Sequence, residues 1–255
     1  MKNKIIAAVA ALAVTFGMTA AQADTVKIGV AAEPYPPFTV PDASGNWTGW
    51  EVDFMNAVCA EAKFDCVITP VAWDGIIPAL TSNKIDAIIG SMSITEERLK
   101  TIDFSDKYYN TPANVVALKG SGVTADPAGM KGKILGVQVS TIHQAYAVKH
   151  FGDAEIKEYQ TQDEANQDLA AGRVDAILAD SLALAPFVDS DQGACCEVVG
   201  SVAHDEEVLG AGIGIGLRKG DAKKDKFNAA IKTIRDNGTY AEFNKKYFSI
   251  DIFGE

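Results

Sequence analysis

The sequence is poor in positive charge and in histidine. It contains 23 lysines and arginines against 34 aspartates and glutamates, only 3 histidines, and a formal net charge of −11. Because nucleic acids and anionic membrane surfaces are themselves negatively charged, this balance disfavours both as partners. The hydrophobic content of 47% is enough to fill the cores of two modest domains or one large one. We therefore expect an ordinary globular protein that does not bind nucleic acid.

Long apolar runs are also scarce, and the one that occurs lies at the N-terminus. It extends from Ile5 to about Met18, follows Lys2 and Lys4, and precedes small residues at an Ala-x-Ala spacing that ends at Ala23. This pattern is typical of a secretory signal peptide, and the run is short for a transmembrane span; a retained membrane anchor is the alternative. We predict a signal peptide at 1–23, cleavage after Ala23 and a periplasmic location.

The four cysteines fall into two local pairs. Cys59 and Cys66 could form a disulfide in an oxidising compartment, closing a small loop at the end of a helix. Zinc is the competing interpretation, but no histidine lies nearby and the spacing is wrong for a zinc finger. Cys195 and Cys196 are adjacent, and neighbouring cysteines bridge only with backbone strain, so their redox state stays open.

The order of predicted elements indicates two α/β units. Strands at 26–30, 66–71 and 87–89 alternate with helices at 50–62 and 73–82. After an apolar strand at 114–118 and glycine-rich breakers at 120–129, strands at 134–139, 155–159 and 176–178 alternate with helices at 141–150 and 163–171. A strand at 212–217 and helices at 224–237 and 239–247 follow. Such alternation predicts parallel sheets flanked by helices.

Polar residues follow the buried strand at 87–89, at the sheet edge where open α/β sheets bind ligands. Ser91 and Ser93 offer hydroxyl and backbone groups, and Thr95 can cap a short helix that carries Arg98. A guanidinium held in this way can bind a carboxylate through two parallel hydrogen bonds. The alternative is that Arg98 is a solvated helix residue and the serines are ordinary turn residues.

The second unit offers equivalent positions. Asp180 follows the strand at 176–178, where its carboxylate could bind an ammonium group or could simply cap the next helix. Thr141, Ile142 and His143 open a helix at the end of another strand, so their backbone N–H groups can face an anion. A threonine in this position is more often only a helix cap.

A proline-rich loop follows the first strand. Its prolines hold Glu33 and Tyr35 in place, and Trp73 follows the next strand of the same unit. Two flat aromatic rings beside a carboxylate suit a long side chain that ends in a cation. The alternative is that both aromatic residues belong to the hydrophobic core.

Several phrases, taken in order, resemble the polar-amino-acid-binding proteins of bacterial ABC importers, which are family 3 extracellular solute-binding proteins. The resemblance is strongest to members that bind lysine, arginine and ornithine, histidine, or opines. The phrases are YPPF (35–38), GWEVD (49–53), IIPAL (76–80), KIDAI (84–88), SITEER (93–98), DFS (103–105), AGRVD (171–175) and GTY (238–240). Each phrase alone is weak, but the ordered set is specific and spans nearly the whole chain after residue 23.

The resemblance implies the type II periplasmic-binding-protein fold. In that fold each lobe is a central, mostly parallel sheet flanked by helices, and the ligand is enclosed between the lobes. We expect the first lobe at 24–110, the second at 111–211, and a C-terminal return to the first lobe at 212–255. The two hinge crossings are expected near 109–113 and 209–214.

The resemblance also implies a role for each site residue. Arg98 and the Ser93 amide would bind the α-carboxylate of an amino acid, with help from the backbone at 141–142. The Ser91 carbonyl, the Ser93 hydroxyl and Asp180 would bind its α-ammonium group. The Cys pair at 59 and 66 also occurs in the family, which supports that disulfide.

The side-chain end of the predicted site matches the family less closely. Tyr35 and Trp73 would stack on the ligand, and Glu33 would meet a distal positive charge, although the loop between Glu33 and Tyr35 is one residue shorter. Gly90 replaces a frequent serine and leaves room for a larger ligand, while His143 replaces a frequent glutamine. The full predicted set is Glu33, Tyr35, Trp73, Gly90, Ser91, Met92, Ser93, Arg98, Thr141, Ile142, His143 and Asp180.

The function implied by the resemblance is capture of a free amino acid and its delivery to an ABC permease in the inner membrane. The expected ligands are lysine, arginine, ornithine, histidine or an opine, bound by a monomer without cofactor or metal. One alternative is an enzyme, because some relatives on this fold are periplasmic dehydratases that use a cleft carboxylate as general acid. Another is a sensory ectodomain, which would need a following membrane span and signalling domain.

Overall fold

The computed structural model describes residues 24–254, so the predicted signal peptide lies outside the described residues. The first part of the chain begins with β1 (Thr25–Ala31), the short hairpin β2 (Val40–Pro41) and β3 (Trp47–Thr48), and α1 (Trp50–Ala62). It continues with β4 (Asp65–Val71), a 3₁₀ turn (Trp73–Gly75), α2 (Ile76–Thr81), β5 (Ala87–Ile88), α3 (Glu96–Leu99) and β6 (Asp103–Tyr109).

The middle part of the chain builds a second sheet. Its elements are β7 (Ala113–Leu118), α4 (Pro127–Met130), β8 (Ile134–Gln138), α5 (Ile142–His150), β9 (Glu155–Tyr159), α6 (Gln162–Ala170), β10 (Ala176–Asp180), α7 (Ser181–Val188), a 3₁₀ turn (Gln192–Cys195), β11 (Cys196–Ser201) and α8 (Glu206–Leu209). The chain then returns through β12 (Ile213–Leu217), α9 (Lys223–Asp236) and α10 (Thr239–Asn244).

Each lobe is organised around one five-stranded sheet. The strand order is β4-β1-β5-β12-β6 in the first lobe and β11-β7-β10-β8-β9 in the second. The strand–helix–strand units pair in parallel, as the sequence predicts, in β1 with β4 and β5, and in β8 with β9 and β10. The remaining neighbours pair antiparallel, so that in each sheet four strands run in one direction and one strand, β12 or β7, runs against them. Both sheets are therefore mostly parallel, as predicted. The antiparallel strands are those that lead into or out of the crossings between lobes.

The chain crosses between the lobes twice. Residues 110–112 join β6 of the first sheet to β7 of the second, and residues 202–212 join β11 back to β12. The second crossing pairs with the loop after β5: the Ile94 N–H donates to the Gly212 carbonyl oxygen at 2.8 Å, and the Ala211 N–H donates to the Ile94 carbonyl oxygen at 3.0 Å. The loop that follows β5, which contains the predicted binding residues, is therefore hydrogen-bonded to the second crossing.

The first lobe has a core rich in aromatic residues. Trp50, at the start of α1, stacks on Phe54 with ring centroids 5.7 Å apart, and Phe54 stacks on Tyr108 at 4.1 Å. The C-terminal helices close this core, because the Trp50 indole donates to Asn244 and the Tyr240 hydroxyl donates to the Tyr108 carbonyl oxygen. Buried aromatic pairs of this kind contribute beyond their area, by about 0.5–1.5 kcal/mol each.

The second lobe buries both faces of its sheet. Alternate residues of β7 and β10 belong to different apolar clusters: Val115 and Leu178 face one, and Val116 and Ile177 face the other. This follows from the two-residue period of a strand, since helices cover each face. Within residues 24–254, no helix is long and apolar enough to span a membrane.

The two cysteine pairs differ in chemical state. A disulfide joins Cys59 in α1 to Cys66 in β4, as predicted. Cys195 and Cys196 are free thiols with sulfur atoms 3.3 Å apart, the first exposed and the second buried.

Candidate functional site

A cavity of about 330 Å³ lies between the two sheets. It is bounded by the carboxyl ends of strands from both lobes and by the two crossings, which is where an open α/β sheet binds ligands. All of the predicted site residues except Met92 line it. Met92 is buried in the first-lobe core, and its carbonyl oxygen accepts from the Gly214 N–H at 3.1 Å.

Arg98 lines this cavity and belongs to α3, a single helical turn. The Thr95 hydroxyl oxygen caps α3 by accepting from the Arg98 N–H at 3.2 Å. Nη1 of Arg98 donates to the Ser93 carbonyl oxygen at 3.0 Å, and the guanidinium lies over the Trp73 ring at 5.7 Å. Burial lowers the pKa of Arg98 to about 10, so the side chain is still a cation at neutral pH. A fixed guanidinium of this kind can receive a carboxylate.

Ser140 joins the two lobes at this point. Its carbonyl oxygen, just after β8 of the second lobe, accepts from Nη2 of Arg98 at 3.2 Å and from the Trp73 indole N–H at 3.3 Å. Its backbone lies in the left-handed region, at a φ of 60°, and its N–H donates to the Gln144 side chain at 2.7 Å. The lobes therefore touch through the same cation that is expected to bind the ligand.

Asp180 caps the next helix, which is one of the two roles considered from the sequence, and it uses its two oxygens differently. Oδ1 caps α7 by accepting from the Leu182 N–H at 2.8 Å and the Ala183 N–H at 3.3 Å. Oδ2 accepts from the hydroxyl of Thr111, in the first crossing. The side chain is buried, which raises the pKa of Asp180, while its hydrogen bonds to Thr111 and the helix act in the opposite direction. Among residues 24–254 it has no ion-pair partner, so an ammonium group would be its natural counterion.

The start of α5 forms another part of the wall. The Thr141 hydroxyl oxygen caps the helix by accepting from the Gln144 N–H at 3.1 Å. The first N–H groups of a helix lack intrahelical acceptors and carry a partial positive charge, which favours an anion nearby. Burial, and then the positive charge of Arg98, lower the pKa of His143 to about 3. The His143 imidazole is therefore neutral at physiological pH.

Glu33 is the acidic residue expected to face the side chain of the ligand, and it lines the cavity. Its Oε2 is buried and has no hydrogen-bond partner among the described residues. Tyr35, two residues on, stacks on Phe38 with ring centroids 5.8 Å apart, so it contributes to both the cavity and the core. Burial raises the pKa of Tyr35, and the nearby Asp180 and Glu51 carboxylates raise it further. The Tyr35 phenol is therefore neutral.

The cavity also contains residues that sequence reasoning missed. The crossings were predicted near 109–113 and 209–214, so residues in those segments could have been included from the fold alone. The others lie in the loop after β1, at the end of β8, at the start of α6 and at the start of the second crossing, and none of them belongs to a recognisable motif. The added lining residues include Thr39, Tyr109, Asn110, Thr111, Gln138, Gln162, Val202, His204, Leu209 and Gly210.

Comparison with known proteins assigns the chain to a family. A family model for bacterial extracellular solute-binding proteins, family 3, matches residues 26–250. The L-arginine-binding protein of Pseudomonas aeruginosa is 42% identical over 258 aligned positions, covering 100% of this chain and 99% of that protein. The lysine/arginine/ornithine-binding periplasmic protein of Escherichia coli is 36% identical, with 100% of both chains covered.

The fold agrees with this assignment. A solved structure of a periplasmic binding protein from Salmonella typhimurium, described for its high arginine specificity, superposes with a TM-score of 0.82 at 31% identity. The match covers 89% of this chain and 100% of that one. The family and its named members are binding proteins and not enzymes, which removes the dehydratase alternative and confirms the expected periplasmic location. The chain belongs to the bacterial extracellular solute-binding proteins of family 3.

Proposed function

We propose that the protein captures a cationic L-amino acid in the cavity between its lobes and delivers it to an ABC permease in the inner membrane. The observation that carries the cationic ligand is Glu33, whose buried Oε2 has no partner among residues 24–254. A buried acceptor without a partner costs about 1–3 kcal/mol, and more when it is charged. A distal ammonium or guanidinium group would offset that cost.

The head group of the ligand would be recognised by opposite charges on opposite lobes. Arg98, from the first lobe, would bind the α-carboxylate together with the Ser93 amide and the first turn of α5. Asp180, from the second lobe, would bind the α-ammonium group together with Ser91 and the Ser93 hydroxyl. A compound that lacks the α-carboxylate or the α-ammonium group would leave a buried charge of the protein without a partner. Such compounds should therefore bind poorly.

The size of the cavity favours a single free amino acid. About 330 Å³ lies at the small end of the roughly 300–1,000 Å³ typical of small-molecule sites. The relatives named for L-arginine and for lysine, arginine and ornithine support the same class of ligand. L-arginine is therefore the first candidate, and an opine is a less favoured one.

Release and capture would require the lobes to separate about the two crossings. We propose lobe bounds of 24–110 and 212–255 for the first lobe and 111–211 for the second, a division supported by the membership of the two sheets. Hinge closure would then bring Asp180 onto a ligand already held by Arg98. The Ser140 carbonyl, which accepts from Arg98, would help to hold the closed form.

A thermal-shift screen over the twenty amino acids, ornithine, octopine and nopaline tests this proposal. A ligand that binds only the folded protein raises its melting temperature in proportion to RT ln(1 + [L]/Kd). We expect the largest shifts from L-arginine, L-lysine and L-ornithine. Shifts that are confined to neutral or acidic amino acids would contradict the cationic ligand, and no shift from any compound would contradict the function.

A further inference from the structure

A buried carboxylate lies directly behind the cavity wall. Glu51 is the second residue of α1 and is only 1% exposed. Its Oε1 accepts from the Ser91 N–H at 2.6 Å and from the Tyr108 hydroxyl, and its Oε2 accepts from the Ser91 hydroxyl at 3.0 Å. Among residues 24–254 it forms no ion pair. Glu51 therefore contacts the cavity residue Ser91 from behind the cavity wall. All of its hydrogen-bond donors, on Ser91 and Tyr108, are uncharged.

These hydrogen bonds determine what Ser91 can offer to a ligand. A serine has two donors, its backbone N–H and its hydroxyl, and in Ser91 both are directed at Glu51. The carbonyl oxygen and the lone pairs of the hydroxyl oxygen remain, and all of these are acceptors. Ser91 lines the cavity in the left-handed backbone region, at a φ of 56°, which a serine rarely adopts without such restraint.

We propose that Glu51 is a positioning residue of the binding site, which makes Ser91 a pure hydrogen-bond acceptor and so selects for the α-ammonium group of the ligand. The inference rests on the function proposed above, because it concerns the same cavity. An ammonium group has only donors to give, whereas a carboxylate or a carbonyl has only acceptors. Glu51 would therefore assign the amino end of the ligand to Ser91 without touching the ligand itself.

Protonation of Glu51 would reverse this polarity. A proton on Oε2 would be donated to the Ser91 hydroxyl oxygen, and the Ser91 hydroxyl hydrogen would then turn away from Glu51 and compete with an ammonium group. Burial raises the pKa of Glu51 to about 7, and the donors Tyr108 and Ser91 oppose that rise. A bound ammonium group would lower this pKa again, so we expect binding to release a proton near neutral pH and to strengthen as pH rises through 7.

Other titratable groups surround Glu51. Tyr108 and Tyr109 approach from β6, Tyr35 approaches from the loop after β1, and Asp180 approaches from β10. Burial and the charge of Glu51 raise the pKa of each of the three tyrosines, so all three stay neutral. Asp180 is the nearby carboxyl, and its negative charge adds to the rise at Glu51.

The test is Glu51→Gln, measured with L-arginine and with the analogue in which hydrogen replaces the α-ammonium group. Because the Ser91 N–H and the Tyr108 hydroxyl both donate toward Oε1, the amide oxygen would take that position and the amide NH₂ would donate to the Ser91 hydroxyl oxygen. The side chain at position 51 keeps its shape, while the Ser91 hydroxyl changes from a donor to an acceptor of the hydrogen bond with residue 51. We expect the preference for L-arginine over the analogue to fall by about tenfold or more at pH 8.

The pH dependence separates positioning from a merely structural role. In the wild-type protein, the ratio of the two affinities should fall by up to about tenfold between pH 8 and pH 6, as Glu51 takes up its proton. In Glu51→Gln the ratio should be low and constant over this range.

Tyr108→Phe is the second variant, because it removes a donor to Glu51 and keeps the two donors of Ser91. Loss of that donor should raise the pKa of Glu51, so the affinity ratio should fall at a higher pH than in the wild type and recover at alkaline pH. This variant also decides the matter if Glu51→Gln does not fold. A wild-type ratio and pH profile in both variants would overturn the inference while leaving the proposed function intact. Failure of the wild-type protein to bind L-arginine would overturn both.

Discussion

At the scale of single residues, the site is a set of charged groups whose partners within the protein are mostly backbone. Arg98 donates to two carbonyl oxygens, Asp180 accepts from two helix N–H groups and Thr111, and Glu33 has an oxygen without a partner among the described residues. Such groups are costly to bury unless a counterion completes them. A zwitterionic ligand with an additional positive charge would complete all of them.

Arg98→Ala should weaken L-arginine binding by at least about thirtyfold, because truncating one member of a buried, hydrogen-bonded charge pair costs about 2–5 kcal/mol. Calorimetric titration measures the loss. Lys100→Ala is the control: Lys100 follows the same helix, pairs with exposed Glu97 and does not line the cavity. Wild-type affinity in Arg98→Ala, or an equal loss in Lys100→Ala, would show that Arg98 does not bind the α-carboxylate of the ligand.

The residues that line the cavity were easier to predict from the sequence than the hydrogen bonds that position them. Ser91, Arg98 and Asp180 could be found because each follows a buried strand, where ligand sites are expected. Glu51 could not, because its role depends on two hydrogen bonds to a residue forty positions away in the chain. Met92 was predicted by its neighbours in sequence, yet alternation along the loop directs it into the core.

At the scale of secondary-structure elements, α3 carries Arg98, the residue proposed to bind the α-carboxylate. It has four residues, too few to be stable alone. Its one side-chain cap is Thr95, which accepts from the Arg98 N–H, and the Ile94 backbone just before it is fastened to the second crossing. The position of the Arg98 guanidinium therefore depends on the Thr95 cap and on the hydrogen bonds between Ile94 and the second crossing.

Thr95→Ala should destabilise the protein by about 1 kcal/mol through loss of the cap, and it should also weaken L-arginine binding because the guanidinium is less well positioned. Thr95→Ser, which keeps the capping oxygen, should restore both properties. The measurements are urea unfolding and calorimetric titration. Asp126→Ala removes the cap of α4, whose residues do not line the cavity, and should lower stability alone. A loss of affinity in Asp126→Ala as large as that in Thr95→Ala would contradict the role given to α3.

Elements with a clear hydrophobic period were predictable, and those defined by pairing were not. The helix at 50–62 and the strands at 134–139 and 155–159 agree with α1, β8 and β9 within a residue or so. The strand β11 was missed because it is largely exposed and exists through antiparallel pairing with β7. The predicted helix at 73–82 is divided into a 3₁₀ turn and α2. Pairing between distant segments leaves little trace in the local sequence.

At the scale of the whole molecule, residues of the two lobes form hydrogen bonds with each other beside the cavity. Arg98 and Trp73 of the first lobe both donate to the Ser140 carbonyl oxygen of the second, beside the cavity. Asp180 of the second lobe accepts from Thr111 in the first crossing. A ligand that binds Arg98 and Asp180 together would stabilise the closed arrangement, because it interacts with both lobes only there.

The proposed capture of a cationic amino acid depends on Glu33, which would bind the distal positive charge of the ligand. Its most direct test is a calorimetric titration of the wild-type protein and of Glu33→Gln with L-arginine and with L-citrulline, which has the shape of L-arginine without its side-chain charge. We predict one L-arginine per chain, bound at least about tenfold more tightly than L-citrulline, and loss of most of this preference in Glu33→Gln. Equal affinities for the two ligands, or an unchanged preference in Glu33→Gln, would contradict it.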